Sequence, residues 1–161
     1  MKKTLSEKLA ENLEYFISKP RRRCIKNGIC KYHGKTLGIK TKGCFIGALL
    51  PVKSREILDI EHKDEDIISI LQYKTLNIKM PKIITQNPSL MRKFQQLHDD
   101  NFNWGKVGLS IYGENELKNI IENYNLDKEP FNKLIKNKIM TLPEDPCVIT
   151  AGDGIVIGKS K

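Results

Sequence analysis

Three side chains in this sequence have the types that thiol chemistry needs. Cys44 lies in the stretch KGCFIGALLP, from Lys42 to Pro51, and His98 and Asp99 lie in QLHDDNFNW. Cys44 heads a short apolar run with helical spacing. At a helix N-terminus the dipole favours a thiolate, a histidine elsewhere in the chain could take its proton, and an acid could orient the ring. This defines one reading, a cysteine-dependent enzyme using Cys44 and His98. Two features oppose it. Adjacent helical residues point about 100° apart, so Asp99 orients His98 only if the helix ends there. Gly43 and Gly47 flank Cys44 and suit a small apolar residue packed in a core. The packing reading is preferred, and the enzyme stands as an alternative.

A metal site would have to use Cys30, Cys44 and His98, with His33 or Asp99. Zinc favours close local pairs such as C-x₂-C, and these residues form none. Asp99, Asp100 and Asn101 lack the spaced loop of a calcium site. No metal and no cofactor are expected.

The chain of 161 residues carries a formal charge of +9 and a pI near 9.4. Lys, Ile and Asn are abundant, a bias that AT-rich coding produces without function. The dense basic cluster is KPRRRC, Lys19 to Cys24. Arg21, Arg22 and Arg23, with Lys40 and Lys42 in the glycine-containing loop KTLGIKTKG, are candidates to hold an anion. Tyr32 and Trp104 complete the candidate ligand-binding set, Trp104 being read first as a core anchor. Few aromatic residues lie near the arginines, which weakens the case for a single-strand stacking platform. Nucleic-acid binding through Arg21, Arg22 and Arg23 is a further alternative.

The elements that must position these groups are largely helical. Thr4 to Glu7 forms a capping box, and Leu5, Leu9, Leu13 and Phe16 follow at helical spacing, predicting a helix over 4–18 that Pro20 stops. Asn27-Gly28 predicts a two-residue hairpin with Ile25 opposite Cys30 and Lys26 opposite Ile29. That register sends Cys24 and Cys30 to opposite faces. A short helix from Cys44 to Leu50, a turn capped by Ser54 through Leu58, and a helix over about 64–73 with Ile67, Ile68 and Leu71 inward come next. NIKMPKIITQ reads as extended or irregular. Asn87-Pro88 opens a helix with Leu90, Phe94 and Leu97 on one face and Met91, Gln95 and His98 on the adjacent stripe. A loop leads to a helix over about 114–124, and Pro130 opens a short one. β-branched runs around AGDG predict a hairpin of 147–150 with 155–158. The expectation is an α+β fold, mainly helical, with about five helices, a β-hairpin after the first helix and a C-terminal β-hairpin. The main domain would span 1–126, with 127–161 as a helix-plus-hairpin appendage.

Three stretches together resemble a set of small bacteriophage and prophage proteins. These carry in order a Cys-x-Tyr-x-Gly stretch, a Lys-x-Cys-x-Ile-Gly-x-Leu-x-Pro stretch, and a Leu-His-Asp stretch with a Trp shortly after. Here the matching residues are Cys30, Tyr32 and Gly34; Lys42, Cys44, Ile46, Gly47, Leu49 and Pro51; and Gln96, Leu97, His98, Asp99 and Trp104. Gln95 stands where that pattern has Leu. The match covers roughly residues 20–124 and leaves the tail outside it. The resemblance implies a biological setting and no mechanism: an accessory phage protein acting by binding in the host cytoplasm, counteracting a host defence by sequestering an anionic ligand or a host protein. Its partner would be a nucleotide, a nucleic acid or an acidic protein face. The N-terminus lacks the apolar segment and cleavage site of a signal peptide, and no apolar run suits a membrane span, so no membrane is expected and the host cytoplasm is.

Overall fold

A computed structural model describes residues 2–23, 25–26, 29–33, 35–36, 39–62, 65–73 and 77–135. Among them the fold is mainly helical, with short antiparallel two-stranded ribbons. Helix α1 (Leu5–Ile17) starts at the capping box: Thr4 Oγ1 accepts from Glu7 N–H at 3.2 Å, and Thr4 N–H donates to the Glu7 carboxylate at 2.6 Å. Such a cap is worth about 1 kcal/mol. The apolar stripe Leu9, Leu13 and Phe16 is fully buried. After a 3-10 turn (Pro20–Arg22), strands β1 (Ile25–Lys26) and β2 (Ile29–Cys30) pair with Ile25 opposite Cys30. A second ribbon follows, β3 (Lys35–Thr36) with β4 (Ile39–Lys40), where the sequence reads as loop.

Helix α2 (Phe45–Leu49) begins at Cys44 and is packed against the backbone of Tyr32. Gly43, with φ of +79°, and Gly47 both face the Tyr32 carbonyl so closely that a Cβ at either position would collide with it. Tyr32 itself is buried and donates its hydroxyl to Glu65 O at 2.7 Å. Its backbone N–H and that of His33 donate to the two oxygens of Asp59, at 2.7 and 2.8 Å. Asp59 belongs to α3 (Val52–Glu61), which starts directly after Pro51. The expected cap, Ser54, is instead buried inside this helix and donates to Lys79 O.

Helix α6 (Pro88–Asp99) is the central member, packed against α2, α4 (Ile67–Leu71), α5 (Lys82–Thr85) and α7 (Ile111–Asn123). Both stripes read from the sequence are buried: Leu90, Phe94 and Leu97, and Met91, Gln95 and His98. Helix α4 (Ile67–Leu71) is shorter than the 64–73 expected, and turned: Ile67 and Ile70 are fully buried, Ile68 and Leu71 only partly. The cause is its docking on α6, where Gln95 Oε1 accepts Ile67 N–H at 3.2 Å while Asp66 caps the next two amides. NIKMPKIITQ contains one helical turn, α5 (Lys82–Thr85), started after Pro81. Asn87 precedes α6 as expected, but its amide donates back to Ile83 O at 3.0 Å rather than capping.

A third ribbon, β5 (Trp104–Gly105) with β6 (Gly108–Leu109), replaces the loop expected there. Helix α7 (Ile111–Asn123) starts three residues early because Ser110 Oγ accepts Gly113 N–H at 3.2 Å. Helix α8 (Glu129–Ile135) lies on α1, and Asp127 N–H donates to the buried Ser6 Oγ at 2.9 Å. Rings of Phe45, Phe94 and Phe131 stack in sequence at 4.8 and 6.2 Å, joining α2, α6 and α8. The described residues thus hold eight α-helices instead of about five. The additional ones are short pieces that tertiary contacts hold. The proposed C-terminal hairpin lies outside the described residues, and no described helix is long and apolar enough to cross a membrane.

The Tyr32 seat makes a sharp stability prediction. Gly47→Ala should lose more than about 3 kcal/mol in urea unfolding, because the carbonyl it meets is backbone and cannot rotate away. Ala48→Gly, one residue on, should lose only about 1 kcal/mol. Equal losses would show that the close approach does not constrain the fold.

Candidate functional site

Cys44 sits where the sequence places it, at the N-cap of α2, as a buried free thiol whose sulfur accepts a backbone amide. Its Sγ accepts Gly47 N–H at 3.3 Å, and its own N–H donates to Lys31 O at 2.7 Å. The residue is 0% exposed. The helix behind it has five residues, so its dipole is small. The Arg55 guanidinium lies within electrostatic reach of Cys44 and Tyr15. Burial pulls the Arg55 pKa below its ordinary value, and those two side chains oppose the shift.

His98 is also 0% exposed. Helix α6 ends at Asp99, and this lets the neighbouring carboxylate turn back: Asp99 Oδ1 lies 2.7 Å from His98 Nδ1. The sequence named this exception to the 100° rule, and the chain uses it. The ring packs edge-on against Phe16 at 4.6 Å and Trp104 at 6.1 Å. Nε2 has no hydrogen-bond partner among the described residues, so no bond joins the imidazole to Cys44. Burial is the main force on this group and pushes its pKa down. Asp99 opposes the shift and Arg23 adds to it. Burial thus favours the neutral ring, and a neutral ring set against a carboxylate at this distance carries its proton on Nδ1.

The cations divide into two kinds. Arg23 is a structural clamp: Nε donates to His98 O at 2.8 Å, Nη2 to Asn101 Oδ1 at 3.1 Å, and the guanidinium lies 4.6 Å from the centre of the Trp104 ring. Trp104 is buried and donates Nε1–H to Leu97 O at 2.9 Å, the core-anchor role. Arg22 and Lys42 instead converge on one ring, that of Tyr15, at 4.4 and 4.7 Å from its centroid. Arg22 Nη1 also donates to Tyr15 O, and the Tyr15 hydroxyl accepts Lys42 N–H at 3.4 Å. Neither Arg22 nor Lys42 is ion-paired with a described carboxylate. The side chains of Arg21 and Lys40 lie outside the described part. Tyr32 is held in the core, away from any surface role.

No family model, curated protein or solved structure matches this chain. The geometry therefore stands by itself. Among the described residues no group of three or more His, Cys, Asp or Glu side chains could hold a metal ion. Two residues that matter here carried no sequence signal. Tyr15 reads as one more position on α1, and Asp59 as a charge on the outer face of a helix. Both act across long sequence separations.

Two measurements check this site. In the native protein, iodoacetamide should leave the Cys44 peptide unmodified over hours at neutral pH, by mass spectrometry, and label it quickly in urea. Fast native labelling would restore the thiol chemistry. His98 has a lowered folded pKa, so below its ordinary value of about 6.5 the unfolded chain binds more protons. Its contribution to stability is complete above that value and is lost as pH falls from there toward the folded pKa. The melting temperature should drop between pH 7.5 and 5.5, and His98→Asn, which keeps a donor for Asp99, should flatten that drop while costing about 1–3 kcal/mol at pH 7.5.

Proposed function

We propose that this chain is an accessory phage protein that acts in its host by binding, and that its ligand is anionic. The observation that carries the reading is the convergence of Arg22 and Lys42 on Tyr15, with neither ion-paired to a described carboxylate. The guanidinium and the ammonium lie 4.4 and 4.7 Å from the centre of one ring, and both groups are of the types that recognise a phosphate or carboxylate. The thiol and the imidazole, each engaged in packing the core, favour binding over thiol catalysis. The ligand would be a nucleotide, a nucleic acid or an acidic face of a host protein, and sequestering it would blunt a host defence.

The test uses the full chain with two probes, a fluorescein-labelled single-stranded oligonucleotide read by anisotropy and ATP read by thermal shift. Arg22→Ala and Lys42→Ala should each weaken binding roughly tenfold, the loss of one charge-assisted hydrogen bond. Their melting temperatures should stay near that of the parent chain. Arg23→Ala should lower stability by about 1–3 kcal/mol. A steep salt dependence identifies a polyanion, and a shallow one a single nucleotide. Unchanged binding in both the Arg22 and Lys42 variants would sink the reading, as would failure of both probes to bind.

A further inference from the structure

We propose that the cleft between α6 and α7 is a second docking surface, and that its occupant is a basic peptide segment of a partner protein presenting arginine or lysine side chains. The cleft has a volume of about 660 Å³, within the range of ligand sites. Its walls are the end of α6, the 3-10 turn Asn101–Asn103 and the first turns of α7. Every charged side chain lining it is acidic: Asp99, Asp100 and Glu116. On a chain with formal charge +9 this is a local reversal of sign. No lysine or arginine among the described residues is ion-paired with any of the three.

The rest of the lining selects the kind of cation. The carboxylates do not gather closely enough to hold a metal ion. The carboxamides of Asn103 and Asn115 sit with them and offer further acceptors. Distributed acceptors of this kind match a peptide whose guanidinium and backbone N–H groups supply several donors. Tyr112 on the lining is 58% exposed, and Phe102 in the adjoining 3-10 turn is 59% exposed. Such rings give a guanidinium or ammonium a face to lie on. The acceptors are also pre-oriented. The fully buried His98 donates to Asp99, Asp100 accepts Phe102 N–H at 2.9 Å, and Asn103 Nδ2 donates to Leu97 O. A cleft already ordered loses less entropy when it binds.

A second acidic groove, between α1 and α8, lacks these properties. Its Glu7 serves the capping box, Glu11 pairs with Lys3 at 2.7 Å, Asp127 accepts Glu129 N–H, and Lys133 stands among them. It supplies the control.

The experiment measures anisotropy of a fluorescein-labelled octapeptide of alternating arginine and glycine against the full chain, with the citrulline version of the peptide as comparison. The arginine peptide should bind more tightly. Asp100→Asn with Glu116→Gln should weaken it roughly tenfold or more, while Glu14→Gln with Glu129→Gln, two carboxylates lining the control groove, should change it less than about twofold. Tyr112→Ala should weaken it with no change in melting temperature. The Asp100/Glu116 variant should leave oligonucleotide or ATP binding at the Tyr15 cluster no weaker, so this proposal and the anion reading fail separately. Equal affinity for the citrulline peptide, or an equal loss in the control variant, would overturn the proposal. So would self-association of the chain that the Asp100/Glu116 variant abolishes, since the occupant would then be a second copy.

Discussion

The carbonyl of Tyr32 must lie against a surface without side chains, and most of this structure is arranged around that requirement. Gly43 and Gly47 provide the surface, on either side of Cys44. Asp59 holds the same strand end by two backbone amides, and the Tyr32 ring is buried with its hydroxyl bonded to Glu65 O. The Tyr32 amide, the His33 amide and the phenol all have partners, so the ring is buried with its own polar groups satisfied. Once α2 is seated in this way, Cys44 faces the core and Lys42 is left beside Tyr15. The position of the thiol and the position of the cation therefore have a single origin.

A second joint ties the segment before the first ribbon, the start of the third ribbon and α6 together. Arg23 reaches His98 O, Trp104 reaches Leu97 O, and the His98 ring sits between Phe16 and Trp104. The joint buries the imidazole, and burial disfavours its charged form against the opposing pull of Asp99: Asp99 satisfies one nitrogen, and the rings of Phe16 and Trp104 pack beside it. It also divides the arginines that the sequence presents as one cluster. Arg23 is bound to α6, whereas Arg22 is held on α1 at Tyr15 and pairs with no described carboxylate. The outcome is a molecule whose chemistry-bearing residues, Cys44 and His98, serve packing. Its charges of opposite sign gather separately, cations at Tyr15 and carboxylates in the α6–α7 cleft.

What could be read from the sequence was what depends on neighbours along the chain. The Thr4–Glu7 capping box, the stripes of α6 and the pairing of Ile25 with Cys30 are local patterns and are present in the structure. The turn of α4 toward Ile67 and Ile70 was not legible, because Gln95, 28 residues away, accepts its first amide. The two later ribbons and the α5 turn are a few residues long, too short for any periodicity to announce them.

By itself the sequence determined a basic, mainly helical chain with short ribbons, since capping chemistry, helical spacing and turn residues act over four or five positions. Tertiary structure alone decided which polar groups were left over for function. A cysteine, a histidine or an arginine is the same residue in the core and at the surface. Only the contacts across long separations, Cys44 with Lys31, Arg23 with His98, and Lys42 with Tyr15, assign each one to packing or to solvent.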